Sequence, residues 1–112
     1  MSTTNNNDIS RIRQLNNKFR ATFKGSDVIE TSSIRKLNSK DHAQVISIVK
    51  NFTGFSNKAD DDYSFGVFFY KDDKFMFKID YYDKSNKLKF SKNPADDKVT
   101  RRVITIMKAR SL

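Results

Sequence analysis

The sequence lacks cysteine altogether, and it contains a single histidine and only three glycines. Without cysteine the chain forms neither disulfide bonds nor cysteine-ligated zinc sites, and this composition favours a cytoplasmic protein. One histidine cannot build a multi-histidine metal centre, and nothing in the spacing around His42 predicts a serine–histidine–aspartate triad. Three glycines are too few for a phosphate-binding glycine-rich loop. We therefore predict no catalytic residue, no cofactor and no metal site.

Long apolar runs are also missing, because no segment approaches the roughly 20 consecutive apolar residues of a membrane span. The polar N-terminus, MSTTNNNDIS, does not resemble a secretory signal, so we expect no association with a membrane. Charge, in contrast, is abundant, and the net charge is +9. Such a charge favours an anionic partner, either nucleic acid or an acidic protein surface. The alternative is that the lysine-rich composition only keeps the protein soluble.

Hydrophobic periodicity predicts three helices, over residues 9–24, 39–52 and 93–110. Their buried stripes are Ile12, Leu15, Phe19 and Phe23 in the first helix, Val45, Ile48, Val49 and Phe52 in the second, and Val99, Val103, Ile106 and Met107 in the third. The third prediction also rests on Asn93 as a capping residue and on Pro94, which fits the first position of a helix.

Strands are predicted at residues 27–31, 63–70 and 74–83, with a further short strand around 88–90. The segment KDDK predicts a tight hairpin with Asp72 and Asp73 at its tip. The order α-β-α-β-β-(β)-α predicts an α+β fold, with a small, mainly antiparallel sheet of three to four strands packed with about three helices. We expect a single globular domain over residues 9–112, after a disordered N-terminus over residues 1–8.

Basic residues recur with helical spacing, and the segment KSNKLKFSK adds four lysines without an acid. Arrays of this kind are what phosphate contacts require. The basic groups are Arg13, Arg20 and Lys24 on the first helix, Lys84, Lys87, Lys89 and Lys92 in the connecting segment, and Lys98, Arg101, Arg102 and Lys108 on the last helix. Tyr82 and Phe90 are aromatic rings on which unpaired bases could stack. The alternative is that each stripe is only the solvated face of an amphipathic helix.

The segment KFMFKIDYYD, from Lys74 to Asp83, alternates like a strand with one buried face. Its odd-numbered residues from Phe75 to Tyr81 predict the core face. Lys78, Asp80 and Tyr82 then share the opposite face, either as a functional surface or as a row in which Lys78 and Asp80 simply pair. The predicted partner-binding residues are Arg13, Arg20, Lys24, Lys78, Asp80, Tyr82, Lys87, Lys89, Lys98, Arg101 and Arg102.

Three blocks of the sequence carry a family resemblance: IRQLNNKFRATFKG (12–25), KIDYYD (78–83) and NPADDKVTRRVITIM (93–107). Together they resemble the bacterial family called domain of unknown function 3768, which is common in alphaproteobacteria and their plasmids. The resemblance spans about residues 10–110. Where that family tends to carry Glu-His-Asp-Phe-Gly, this chain has Asp-Tyr-Ser-Phe-Gly at residues 62–66, so a family site at this place would be lost here. The resemblance implies a role in mobile elements, such as regulation or defence evasion.

Three functional hypotheses follow from the sequence. The favoured one is a small, non-enzymatic basic protein that engages nucleic acid or a nucleoprotein complex. The second is a protein–protein interaction module or an inhibitor of a host enzyme, without contact to nucleic acid. The third is a metal-dependent enzyme that uses Asp60–Asp62 together with Asp80. A contiguous basic face would favour the first hypothesis, and a basic surface interrupted by aspartates would favour the second.

Overall fold

The structure, a computed structural model, describes residues 6–25, 27–56 and 58–109, with the backbone alone for residues 6 and 7. These residues form α1 (Asn6–Thr22), β1 (Asp27–Glu30), α2 (Ser32–Arg35), α3 (Ser39–Lys50), β2 (Phe65–Tyr70), β3 (Asp73–Asp83) and β4 (Thr100–Lys108). The predicted α+β class is confirmed. Of the N-terminal segment that we predicted to be disordered, residues 1–5 lie outside the described residues, whereas residues 6–8 belong to α1.

The four strands form one mixed sheet in the order β1-β4-β3-β2. The pairs β2–β3 and β3–β4 are antiparallel, whereas β1 and β4 are parallel. The sheet is therefore not purely antiparallel. A parallel pair needs a long crossover connection, and β1 is joined to its neighbour β4 through the helices and the β2–β3 hairpin. Among the described residues, no helix is long and apolar enough to cross a membrane.

The predicted C-terminal helix is wrong, because residues Thr100–Lys108 form strand β4 in the middle of the sheet. The signals that suggested a helix start belong to a turn, in which the Asp96 amide donates to the carbonyl of Asn93 at 3.0 Å. Pro94 occupies the second position of that turn, where its fixed φ is equally suitable. The β-branched residues that follow favour a strand, since they pack well on a pleated surface.

The β2–β3 hairpin is present, but its tip lies one residue earlier than predicted. Lys71 and Asp72 form the two-residue loop with φ values of 49° and 67°, and Asp73 already belongs to β3. Positive φ at both positions is typical of the turn whose twist matches a hairpin. Asp41 of α3 holds this loop, since it accepts a hydrogen bond from the Tyr70 hydroxyl at 2.8 Å and pairs with Lys71 at 3.0 Å.

The core lies between the helices and one face of the sheet. Its fully packed members are Phe19, Ile34, Val45, Val49, Phe68, Phe75, Phe77, Ile79, Ile104 and Ile106. The predicted stripes of α1, α3 and β3 are confirmed, because each contributes side chains to this cluster or packs against it. Gly66 of β2 also lies on the covered face, where a Cβ atom would come within 2.4 Å of the Phe77 ring.

The predicted short strand around residues 88–90 is reduced to a single bridge between Phe90 and Tyr82. The connection from β3 to β4 is otherwise a series of turns over residues 84–99. It is tied to the sheet by two backbone hydrogen bonds from Asp83 to Lys89 and from Ser91 to Tyr81, at 2.8 and 3.0 Å. Phe90 is thereby fixed at the end of β3.

Candidate functional site

The opposite face of the sheet is not part of this core, and we call it the open face. Strand register assigns its members, because directly opposed residues of neighbouring strands point to the same side. They are Asp27 and Ile29 on β1, Phe65, Val67 and Phe69 on β2, Lys74, Met76, Lys78, Asp80 and Tyr82 on β3, and Arg101, Val103, Thr105 and Met107 on β4. Phe65 is 52% exposed and Phe69 70% exposed.

Aromatic and basic residues oppose each other across the strands of the open face. Phe65 lies opposite Lys78, and Phe69 lies opposite Lys74. Tyr82 lies opposite Arg101, whose guanidinium carbon is 5.2 Å from the centre of the Tyr82 ring. Each of the three strand-borne rings on this face thus has a cation as its direct cross-strand neighbour.

One end of the open face carries a pair of stacked rings. The Tyr82 and Phe90 ring centres are 5.4 Å apart, with 19° between the ring planes. Phe90 is 72% exposed, so most of its surface is available for further stacking. The connection around it carries Lys87, Lys89 and Lys92, all exposed, so this end of the face is strongly basic.

Acidic residues interrupt the positive charge in the middle of the open face. Lys78 Nζ lies 3.5 Å from Asp80, and Arg101 donates to Asp27 at 2.5 Å. The predicted Lys78–Asp80 pair is confirmed. Both pairs are partly exposed, so each contributes little to stability. The face therefore has a mixed centre and a basic, aromatic end.

Two of the predicted binding residues are buried, which corrects the view that they line exposed basic stripes. Arg20 on α1 is 4% exposed and Arg102 on β4 is 2% exposed. Because Arg101 and Arg102 are neighbours on a strand rather than on a helix, they point to opposite faces of the sheet. Arg13 is half-buried, and it donates to the carbonyls of Asp61 and Lys58 at 2.5 and 2.8 Å.

The open face brings together only part of the predicted set, namely Lys78, Asp80, Tyr82 and Arg101, with Lys87 and Lys89 in the adjoining connection. Lys24 is exposed beyond the end of α1, and Lys98 is exposed in the turn before β4. Neither belongs to the strands of the open face. The basic residues predicted on the first helix, Arg13, Arg20 and Lys24, are therefore separated from the predicted residues on the open face.

A buried polar network occupies the covered face at the same end of the sheet. Asn16 on α1 donates to the Tyr81 hydroxyl at 2.7 Å and to the carbonyl of Asp62 at 2.9 Å. The Tyr81 hydroxyl donates to the Asp62 carboxylate at 2.7 Å, and Arg102 Nε donates to Asn16 Oδ1 at 2.8 Å. Arg102 also bonds the carbonyl of Pro94 and pairs with Asp97 at 3.3 Å. The network thus joins α1, β3, β4 and two loops.

Burial, together with the neighbouring charge of Asp62, raises the pKa of Tyr81 well above its ordinary value. The phenol is therefore held as a neutral hydrogen-bond donor. It does not have the lowered pKa of an activated acid or nucleophile, and we assign the network to structure.

The structure does not assemble the carboxylates that we considered as a metal site. The Asp62 side chain accepts from Tyr81 on the covered face, whereas Asp80 pairs with Lys78 on the open face, so the sheet separates them. Among residues 6–25, 27–56 and 58–109, no group of three or more histidine or acidic residues is placed to hold a metal ion. His42 bonds Glu30 at 2.9 Å and so links α3 to β1.

Sequence reasoning missed the buried network and the exposed rings of Phe65 and Phe69. The network could not be recognised while residues 93–110 were assigned to a helix, because Arg102 then belonged to a solvated stripe. The alternation in SFGVFFY did contain a signal for β2. It places Phe65, Val67 and Phe69 on one face and Phe68 and Tyr70 on the other.

Fold and surface together define a small α+β domain whose mixed sheet is covered by helices on one face and carries aromatic–cation pairs on the other. Comparison with protein families then gives the identification: the chain belongs to the family described as "Protein of unknown function (DUF3768)", whose model matches residues 30–111. The matched range includes β2, β3, β4 and the last residue of β1, and it leaves out α1. The opening block at residues 12–25 therefore lies outside it. No curated protein and no solved structure matched the chain.

Proposed function

We propose that the protein is a non-enzymatic nucleic-acid-binding protein that takes a single strand along the open face of its sheet. The observation that carries this proposal is the direct cross-strand pairing of each strand-borne ring of the open face with a cation: Phe69 with Lys74, Phe65 with Lys78 and Tyr82 with Arg101. Proteins that bind single strands combine rings on which bases stack with cations that follow the phosphates.

The Tyr82–Phe90 stack is the centre of the proposed site. A base lying on Phe90 would extend a stack that already contains two rings. Lys87, Lys89 and Lys92 are exposed in the same connection and are the candidates for contacts to its phosphate. From Lys74 to Tyr82 the face runs about 27 Å along β3, at the usual rise of roughly 3.4 Å per residue. That length accommodates several nucleotides in an extended conformation.

Fluorescence polarisation with labelled single-stranded DNA and RNA tests the proposal. We expect Phe90→Ala to weaken binding roughly tenfold, since base–aromatic stacking contributes about 1–3 kcal/mol per base. Leu88→Ala is the matched control, because Leu88 is 94% exposed in the same connection but has no ring. Equal affinities of the two variants would exclude stacking on Phe90. No binding of any single strand at low salt would refute the proposal as a whole.

The phosphate contacts have their own test in the salt dependence of binding. Each lysine that neutralises a phosphate of a single strand contributes about 0.7 to the slope of log affinity against log salt concentration. Lys87→Gln and Lys89→Gln should each reduce the slope by about this amount. Lys18→Gln, on the exposed side of α1, should leave it unchanged, and an equal effect of all three would mean that only net charge matters.

A second candidate function is binding of a protein partner, and the mixed charge of the central open face favours it. Lys78 and Arg101 are already paired with Asp80 and Asp27, and β2 is an edge strand with two exposed phenylalanines. Edge strands of this kind pair readily with other chains. A complex that survives nuclease treatment and is lost in Phe69→Asp would favour this candidate over nucleic acid. The role in mobile elements that the family resemblance implied is compatible with either partner.

A further inference from the structure

The helix side of the molecule contains a cleft of about 450 Å³ between α1 and the end of α3. Its polar lining consists chiefly of Asn17, Arg20, Lys50, Asn51 and Thr53, and aromatic rings form the remaining wall. Among the residues that the structure describes, the lining includes two cations and no acid. The cleft lies on the covered side of the sheet, so it is separate from the open face.

Arg20 is the unusual member of this lining, because it is a buried cation with no counter-charge in the described part of the chain. One terminal nitrogen donates to Asn17 Oδ1 at 2.8 Å and to the carbonyl of Phe52 at 3.1 Å. The Nε atom and the other terminal nitrogen are buried, and no described residue provides a hydrogen-bond acceptor for them. No carboxylate of the described residues forms an ion pair with Arg20.

The surroundings offset the charge of Arg20 only in part. Its guanidinium carbon lies 4.9 Å from the centre of the Phe55 ring and 5.8 Å from that of Phe77. Such contacts favour a cation but are weaker than an ion pair. Burial lowers the pKa of Arg20, as expected for a cation that has been removed from water. Buried charges in proteins are ordinarily paired.

We propose that this cleft binds the oxyanion of a small ligand, a phosphate or a carboxylate, with Arg20 as its counter-charge and Lys50 as a second cationic contact. Lys50 ends α3, and its Nζ atom lies 4.8 Å from the centre of the Phe23 ring, at the same end of the two helices. The two unpartnered nitrogens of Arg20 are buried in the structure, so binding requires the side chain to rotate for one of them to reach the oxyanion. The amides of Asn17 and Asn51 and the hydroxyl of Thr53 are neutral donors for its remaining oxygens. This site does not depend on the proposed binding of nucleic acid.

Nuclear magnetic resonance of the full chain tests the site directly, with inorganic phosphate and acetate as the two probes and chloride at equal ionic strength as the baseline. The Arg20 Nε–H resonance reports on its hydrogen bond, and we expect a saturable shift when an oxyanion supplies the missing acceptor. Phosphate and acetate are titrated separately, so the stronger response identifies the class of ligand. No saturable shift at Arg20 with either probe would overturn the proposal.

Two variants separate the cleft from general attraction of anions to a basic protein. Lys50→Gln should weaken binding of the effective probe roughly tenfold, as expected for loss of one charge-assisted contact. Lys24→Gln is the matched control, because Lys24 is an exposed cation near the end of α1 that lines a different cleft. Equal weakening by both variants, or shifts spread over the surface lysines rather than centred on Arg20 and Lys50, would overturn the proposal.

Discussion

Replacing Tyr81 with phenylalanine should destabilise the protein by about 2 kcal/mol. The Tyr81 hydroxyl accepts from Asn16 at 2.7 Å and donates to the Asp62 carboxylate at 2.7 Å, so its loss removes two hydrogen bonds. A hydrogen bond to a charged group contributes about 1.5–3 kcal/mol, and a buried partner that is left unsatisfied adds to the cost. Asn16 keeps its contact with the carbonyl of Asp62, which places our expectation in the middle of that range. Calorimetry should show a melting temperature lower by roughly 8 °C.

Tyr82→Phe is the control for this prediction, because Tyr82 is the next residue of the same strand and faces the opposite side of the sheet. Its change should cost less than about 0.5 kcal/mol, as is usual for surface substitutions. If the two variants melt at the same temperature, the buried network does not contribute to stability as argued above.

The pH dependence of the free energy of unfolding, compared between wild type and Tyr81→Phe, provides a second measurement. Burial raises the pKa of Tyr81 in the folded state, whereas in the unfolded chain it titrates near 10. The stabilisation from the neutral phenol is therefore complete below pH 10 and decreases as the pH rises further, by about 1.4 kcal/mol per pH unit. Phenylalanine has no proton to lose, so the difference between wild type and Tyr81→Phe should narrow above pH 10. Urea unfolding curves between pH 8 and 10.5 measure this difference in the free energy of unfolding. A difference that stays constant over this pH range would refute the assignment of a neutral, buried phenol.

Two further predictions concern the packing of the sheet and the attachment of its hairpin. Gly66→Ala should destabilise the protein by about 1–3 kcal/mol in urea unfolding, because the added Cβ would lie 2.4 Å from Phe77 and 2.8 Å from Phe52. Gly54→Ala is the control and should cost less, because its added Cβ would come no closer than 3.1 Å to a ring atom of Phe52. A larger destabilisation by Gly54→Ala than by Gly66→Ala would contradict the packing described for β2. Asp41→Asn should destabilise the protein at neutral pH but not in acid. Hydrogen bonds from Tyr70 and Lys71 lower the pKa of Asp41 in the folded protein, so the stabilisation by its carboxylate is present above about pH 4 and is lost as the pH falls through the folded-state pKa. A difference in stability between variant and wild type that persists at pH 2 would contradict the assignment to the ionised carboxylate.

Elements with one buried face could be predicted from the sequence. Helices α1 and α3 show a single apolar stripe, and β3 alternates strictly from Phe75 to Tyr81, so the period alone identifies both the structure and the side that is buried. The same alternation correctly placed Lys78, Asp80 and Tyr82 together on one face. For these elements the local pattern and the tertiary environment agree.

Strand β4 could not be predicted in the same way, because it is the element whose environment differs most from its local signals. It is central in the sheet, and Val103 on the open face is 4% exposed beneath its neighbours, so its apolar residues do not alternate cleanly with polar ones. Arg102 adds to the ambiguity, since a buried arginine looks like a solvated one in a sequence. Its partners, Asn16 and Asp97, are known only once the strand has been placed.

The segment KIDYYD contributes to the fold and to the candidate surface at the same time, and strand register is the link between them. Tyr81 is anchored on the covered face by Asn16 and Asp62, which fixes the position of β3 relative to α1. A shift of one residue would turn every side chain of β3 to the opposite face. Because the network excludes that shift, it also keeps Tyr82 opposite Arg101 and beside Phe90. The polar row on the open face is therefore a consequence of buried contacts on the other side, and loosening the network should weaken the single-strand binding that we propose for the open face.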